Sequence, residues 1–204
     1  NCLRPRYKKF VQIVTYMPYF ISTVVMVGII IQFLSPKVGV VNYAIKALGG
    51  NEIDFMGRPE YFKHIYVWSN IWQGTGWSAI IYLSALASID PGLHEAALVD
   101  GANRFKRMWH IDLPGILPTI TIMLTLRMGS IMSVGFEKAF LMQNNLNLST
   151  SEIISTYVYK VGLASAAPDY SYSAAIGLFN SVINLVLIAT VNRINARINE
   201  ISLW

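Results

Sequence analysis

Charge is what this 204-residue sequence has least of: Asp, Glu, Lys and Arg make up only 13% of it, about half the share of a typical soluble domain. With 54% hydrophobic residues and a mean hydropathy of +0.45, that shortage points to a membrane protein. The single cysteine, Cys2, excludes an internal disulfide. The three histidines, His64, His94 and His110, are scattered and have no metal-ligand spacing. No G-x-x-x-x-G-K-[ST] sequence is present, so the chain cannot cradle ATP phosphates in the usual P-loop way. No nucleophile–base arrangement, internal repeat or low-complexity segment stands out. Catalytic residues, a bound metal and a resident cofactor are therefore not expected.

The net charge is +5 and the pI near 9.3. The basic residues are split among short segments flanking apolar runs, a distribution that fits membrane topology and not a nucleic-acid surface. Four segments are long and apolar enough to read as spans of an all-α polytopic bundle: residues 11–34, 68–87, 115–136 and 173–191. The first follows a basic stretch, yet it exceeds a signal-peptide core and no small-residue cleavage site follows it. Nine basic residues flank one side (Arg4, Arg6, Lys8, Lys9, Arg104, Lys106, Arg107, Arg193, Arg197). Six flank the other (Lys37, Lys46, Arg58, Lys63, Lys138, Lys160). The excess assigns the first side, with both termini, to the cytoplasm, and aromatics from Tyr61 to Trp72 crowd the opposite side. The long outer loops, 35–67 and 137–172, contain helix breakers and are expected to hold short helices and turns.

The inner loop, residues 88–114, carries the strongest local signals. Asp90-Pro91 is an N-cap and first-turn pair that starts a short helix through Val99. Gly101 can end that helix in the left-handed conformation. Asn103 can cap a second helix through Ile111, with Phe105, Met108 and Trp109 along one face. Pro114 then closes the segment and opens the third span. Ala96 and Ala97 would let another backbone approach the first helix closely, with Glu95 beside them as an available charge. A loop packed on its own bundle is the alternative reading of the same pattern.

Glu95-Ala96-Ala97, Gly101, then Ile111-x-Leu113-Pro114 matches every specified position of EAA-x3-G-x9-I-x-LP. On these residues the chain resembles the permeases of binding-protein-dependent ABC importers. Residues 15–22, 80–91 and 135–141, with the terminal Leu203-Trp204, further resemble the carbohydrate-uptake branch, related to polygalacturonan and lipoprotein-oligosaccharide permeases. The resemblance covers essentially the whole chain. It implies the type I importer permease fold, normally with six spans, so that the four here would be the last four of a chain lacking its natural start. It also implies a coupling loop seated in an ATPase subunit: Glu95 pairing with a basic residue, Ala96 and Ala97 packing closely, Gly101 making the bend, and Ile111, Leu113 and Pro114 completing the element. The implied partners are a pair of ATPase subunits that bind the ATP, a second and different permease subunit, an extracytoplasmic solute-binding protein and the lipid bilayer.

Polar residues within spans are costly in lipid and become candidates for the solute pathway: Arg127, Glu137, Asn180 and Asn184, with Trp72, Trp77 and Tyr82 as stacking surfaces. Helix–helix hydrogen bonds are the alternative use for each. Asn180 and Asn184, four apart, share a helix face. Arg127 and Glu137 would lie about 15 Å apart on a continuous helix and would need a break near Gly129 or Gly135 to pair. Two other functions fit a polytopic chain, a secondary transporter or channel independent of ATP, and a scaffold without transport.

Overall fold

The computed structural model describes residues 5–133 and 135–199, and they are almost wholly helical, with no strand among them. The terminal Leu203-Trp204 lies outside the described residues. In chain order the helices are α1 (Pro5–Tyr16), α2 (Thr23–Phe33), α3 (Val40–Ala47), α4 (Pro59–Ala87), α5 (Pro91–Val99) and α6 (Arg104–Arg107). After a π-helical turn at Met108–Asp112 come α7 (Leu113–Gly115), α8 (Leu117–Met128), α9 (Phe136–Met142), α10 (Leu148–Ser151), α11 (Ile154–Tyr159) and α12 (Tyr170–Asn199).

Two of the expected spans are not continuous helices. The run 11–34 is not one helix. A 3-10 turn at Met17–Phe20 and an extended Ile21 separate α1 from α2, and the two halves are bent by 102°. Pro18 lacks the N–H and crowds the carbonyl four residues back, so an α-helix cannot run through it unbroken. Ser22 restarts the helix as N-cap of α2, its hydroxyl accepting from Val25 N–H. The run 115–136 is likewise interrupted. The helical path from Arg104 to Gly115 bends by 57° into α8, and α8 ends at Met128, well short of Phe136. The bend falls at Ile116, two residues before Pro118, which cannot donate to the Pro114 carbonyl and crowds it. Pro114 is therefore not the closing residue, because it sits inside α7.

Among the described residues, Tyr170–Arg197 alone is both long and apolar enough to cross a membrane as a single helix, and the two bent pairs each pass if counted as one broken span. At 29 residues α4 is long enough, about 43 Å, but Ser, Asn, Gln and Gly dilute its apolar character. The short helices α3, α9, α10 and α11 fall in or beside the stretches that the breakers marked as loops.

The chain divides into two compact units, Asn1–Gly76 with Ser133–Gly177, and Trp77–Met132 with Leu178–Trp204. In the first, Val27, Phe62 and Met142 form a buried cluster, with Ile30, Met56, Ile65, Tyr66 and Leu141 packed on it. Asn42 cross-links the loops of this unit through Leu34, Ser35 and Ile53, and Asn144 and Asn147 both donate to the Met56 carbonyl. In the second, α12 packs antiparallel on α8. Asn184 Oδ1 accepts from Met132 N–H at 3.3 Å, and Asn195 donates to Thr125 Oγ1 at 2.9 Å. Thr125 in turn donates to the Thr121 carbonyl. The described buried residues include more polar than apolar side chains, while Phe, Leu, Ile and Trp side chains stand exposed along the helices. That inversion suits a chain whose surroundings are hydrocarbon, where apolar burial drives nothing and buried polar pairs hold helices together.

Candidate functional site

The EAA loop folds as its sequence dictates. Asp90 caps α5, its carboxylate accepting from Gly92 N–H at 2.9 Å, with Pro91 in the first turn. Gly101 adopts φ +73°, and two bonds close the helix end: Ala102 N–H to the Ala97 carbonyl at 2.8 Å and Gly101 N–H to the Leu98 carbonyl at 3.1 Å. This is the paired closure of a Schellman motif, for which the left-handed residue is best a glycine. Asn103 caps the returning helix by accepting from Lys106 N–H at 2.9 Å. The two limbs are tied again lower down, where His94 Nε2 lies 3.3 Å from Asp112 Oδ1.

On this frame Glu95 and Ala96 are exposed and Ala97 is half-buried. Glu95 forms no ion pair among the described residues. Gly101 sits at the turn, and Ile111, Leu113 and Pro114 follow on the returning limb, where the π-helical turn at 108–112 precedes Pro114. The extra residue in that turn lets the chain pass a proline that cannot donate. Phe105, Met108 and Trp109 are exposed at 75%, 47% and 65%, so the apolar face of the returning limb is not spent on this chain's own bundle. Small residues, a free carboxylate and an uncovered aromatic face lie together on this loop.

The pathway candidates do not converge on one site. Arg127 is exposed and reaches Ser78 Oγ only at 3.5 Å, and Glu137 is exposed in the first turn of α9. Helix α8 ends at Met128 and α9 starts at Phe136, a break of the kind their pairing would require, but they belong to different compact units. Asn184 is used to hold Met132 N–H against α12. Asn180, its partner in the expected pair, keeps a buried Oδ1 with no hydrogen-bond donor. Trp72 and Trp77 are exposed at 56% and 44%, and Tyr82 is half-buried.

A second polar site was missed by sequence reasoning. Lys138, on α9, is 4% exposed, and its ammonium meets Asn70 Oδ1 at 3.0 Å and Gln73 Oε1 at 3.4 Å, both on α4. Gln73 then donates from Nε2 to the Ile21 carbonyl at 3.0 Å, at the break of the first hydrophobic run. One turn on, Gly76 is buried against the backbone of Thr15 and Tyr16, where any Cβ would overlap the Thr15 carbonyl oxygen. The signal was present in the sequence as Asn70 and Gln73 three apart on a helix, and as a lysine within the apolar F-E-K-A-F-L-M segment.

Comparisons with known proteins agree with this architecture. Residues 3–200 match the family described as "Binding-protein-dependent transport system inner membrane component". Protein LplB of Bacillus subtilis (strain 168) is 43% identical over 198 residues, 97% of this chain and 62% of that protein. The polygalacturonan/rhamnogalacturonan transport system permease protein YteP of the same organism is 40% identical over 194 residues, 95% of this chain and 60% of YteP. The chain thus spans about three fifths of the length of these curated relatives. One chain in the crystal structure of a bacterial alginate ABC transporter, in complex with alginate pentasaccharide-bound periplasmic protein, superposes with a TM-score of 0.93 at 40% identity, covering 99% of this chain and 70% of that one. With its EAA loop, its helical fold and a family match over nearly its whole length, this chain belongs to the inner-membrane components of binding-protein-dependent transport systems.

Proposed function

We propose that this chain is a transmembrane permease subunit of an ATP-driven ABC importer that moves oligosaccharides into the cell from a solute-binding protein. The observation that carries this reading is the complete EAA loop, folded as two capped limbs with Glu95 exposed and an uncovered aromatic face behind it. The cargoes named for the relatives, polygalacturonan and rhamnogalacturonan for YteP and alginate for the solved transporter, support the oligosaccharide class.

ATP is hydrolysed on a separate pair of ATPase subunits, and α5 seats in one of them. Glu95 meets a basic residue there, a charge-assisted contact of about 1.5–3 kcal/mol. Phe105, Met108 and Trp109 supply the apolar area that holds the joint. Closure of the ATPases pulls the loop, and the helices rock about a central site to alternate access. A second, different permease subunit completes the pathway. The loop and both ends of this chain face the cytoplasm. Lys138 is buried, so it drops out of the loop charges, and the basic excess on that side widens to nine against five.

The test is uptake of labelled oligosaccharide by the assembled transporter in proteoliposomes with its binding protein. Uptake is expected only with ATP on the ATPase side. Uptake driven by an ion gradient without ATP would establish a secondary transporter instead.

A further inference from the structure

The last turns of α12 are charged and concave in a way that the coupling loop does not explain. No charged residue occurs from Tyr170 to Asn192, and then Arg193 and Arg197 follow one turn apart. The two faces of this helix end are used differently. Asn192 and Asn195 are 5% and 6% exposed, and Asn195 is bonded to Thr125 on α8. Arg193, Ile194 and Arg197 are exposed on the other face. With Val186, Ala189 and Thr190 they line a cavity of about 330 Å³, a volume in the range of small-molecule sites.

Neither arginine forms an ion pair among the described residues. Like charges four apart on a helix repel each other. The helix dipole favours a cation in the last turn, which accounts for Arg197 but not for Arg193, six residues before Asn199. Two guanidinium forks about 6 Å apart along the axis are a donor set for one bridging phosphate. The wall beside them is apolar, because Thr190 spends its hydroxyl on the Val186 carbonyl at 2.7 Å. Val186 lies about 10 Å along the axis from Arg193, on the uncharged stretch that belongs in hydrocarbon. The cavity therefore fits a molecule with an anion at one end and an apolar chain at the other. A soluble anion has no use for that wall, and a water-soluble subunit does not reach its depth.

We propose that this face of α12 binds one anionic phospholipid, its phosphate bridged by Arg193 and Arg197 and an acyl chain laid along Ile194, Thr190, Ala189 and Val186. A zwitterionic headgroup brings its own cation to the arginines, so a lipid with net negative charge is preferred. The bound lipid neutralises the pair and fixes the depth of the helix end whose other face holds Asn195 against α8. Only the leaflet, the cytoplasmic one, rests on the orientation given under the importer reading.

The experiment is native mass spectrometry of the assembled transporter in detergent, titrated with dioleoyl phosphatidylglycerol or with dioleoyl phosphatidylcholine. Wild type is expected to bind one phosphatidylglycerol about tenfold more tightly than phosphatidylcholine, as two charge-assisted contacts allow. That preference should vanish in the double variant Arg193→Gln with Arg197→Gln and persist, weakened, when both are lysine. Ala189→Trp leaves both arginines in place but fills the apolar wall, and it should also abolish the preference. A preference untouched by Ala189→Trp would mean diffuse charge attraction and overturn the built site. So would equal binding of the two lipids by wild type, or a preference that survives the double glutamine variant. Displacement of the lipid by inorganic phosphate at equal concentration would make this a phosphate site, and loss of the second permease from the double variant would make it a subunit contact; either overturns the proposal. Binding is read without ATP or solute, so failure of the importer reading shows separately in the uptake assay above.

Discussion

Glu95 and Lys138 are both charges without a counter-ion among the described residues, but their surroundings are opposite. Glu95 stands in water on α5, beside alanines, on a limb braced by its own caps. Lys138 is enclosed between α9 and α4 with two amide oxygens for company. A solvated carboxylate costs nothing while it waits for a partner, whereas an enclosed ammonium costs several kcal/mol at all times. The difference teaches that an unpaired charge must be weighed by its environment. The exposed one is free to meet another surface, and the enclosed one is held by its own chain.

The largest effect should come from the backbone contact that shapes the buried site. Gly76→Ala places a methyl group against the Thr15 carbonyl, and the bend between α1 and α2 cannot seat on α4. A loss of about 3 kcal/mol or more is expected, measured as thermal unfolding of the purified protein in detergent, together with loss of assembled transporter. If the variant is as stable as wild type, the socket around Lys138 is not the rigid site described.

Lys138→Met sharpens the comparison directly. It should leave stability unchanged or raise it by up to about 2 kcal/mol in the same assay, since it removes a charge that nothing neutralises. A clear loss of stability would mean that the ammonium is a net structural asset. Asn195→Leu is the neutral control, a buried polar side chain with a real partner in Thr125. It should cost about 1 kcal/mol, in the opposite direction. The smallest effect is expected at the loop, where His94 and Asp112 are each 30% exposed. Asp112→Asn should cost less than about 1 kcal/mol, because a solvent-screened pair contributes little. A larger cost would show that the two limbs depend on that bridge and not on their caps.

These regions were not equally legible in the sequence. The caps and the turn of the EAA loop are local: Asp90 caps within two residues, Gly101 turns the chain where it stands, and Asn103 caps three residues on. The Lys138 socket joins residues 21, 70, 73 and 138, and no periodicity or spacing links them. Read as a loop charge, Lys138 looked solvated. The break in the first hydrophobic run lay between these cases. Pro18 was in plain view, but hydropathy is continuous across it and reads 11–34 as one segment. Hydropathy measures whether a stretch tolerates lipid and says nothing about whether its backbone can stay helical. The same limitation let the run 115–136 extend past the end of α8. Of the expected asparagine pair, Asn184 turned out to hold the Met132 backbone, a role that depends on where α8 ends.

The most direct test of the coupling assignment is solute-stimulated ATPase activity of the reconstituted transporter with Glu95→Lys and Gly101→Val in this chain. Both substitutions lie on the exposed loop and should leave membrane insertion intact. The charge reversal repels the expected basic partner, and valine strains the left-handed turn that φ +73° requires. The account predicts that stimulation and uptake fall together, by tenfold or more on the charge-assisted contact. ATPase stimulation and uptake at wild-type rates in either variant would contradict the assignment of this loop as the coupling element.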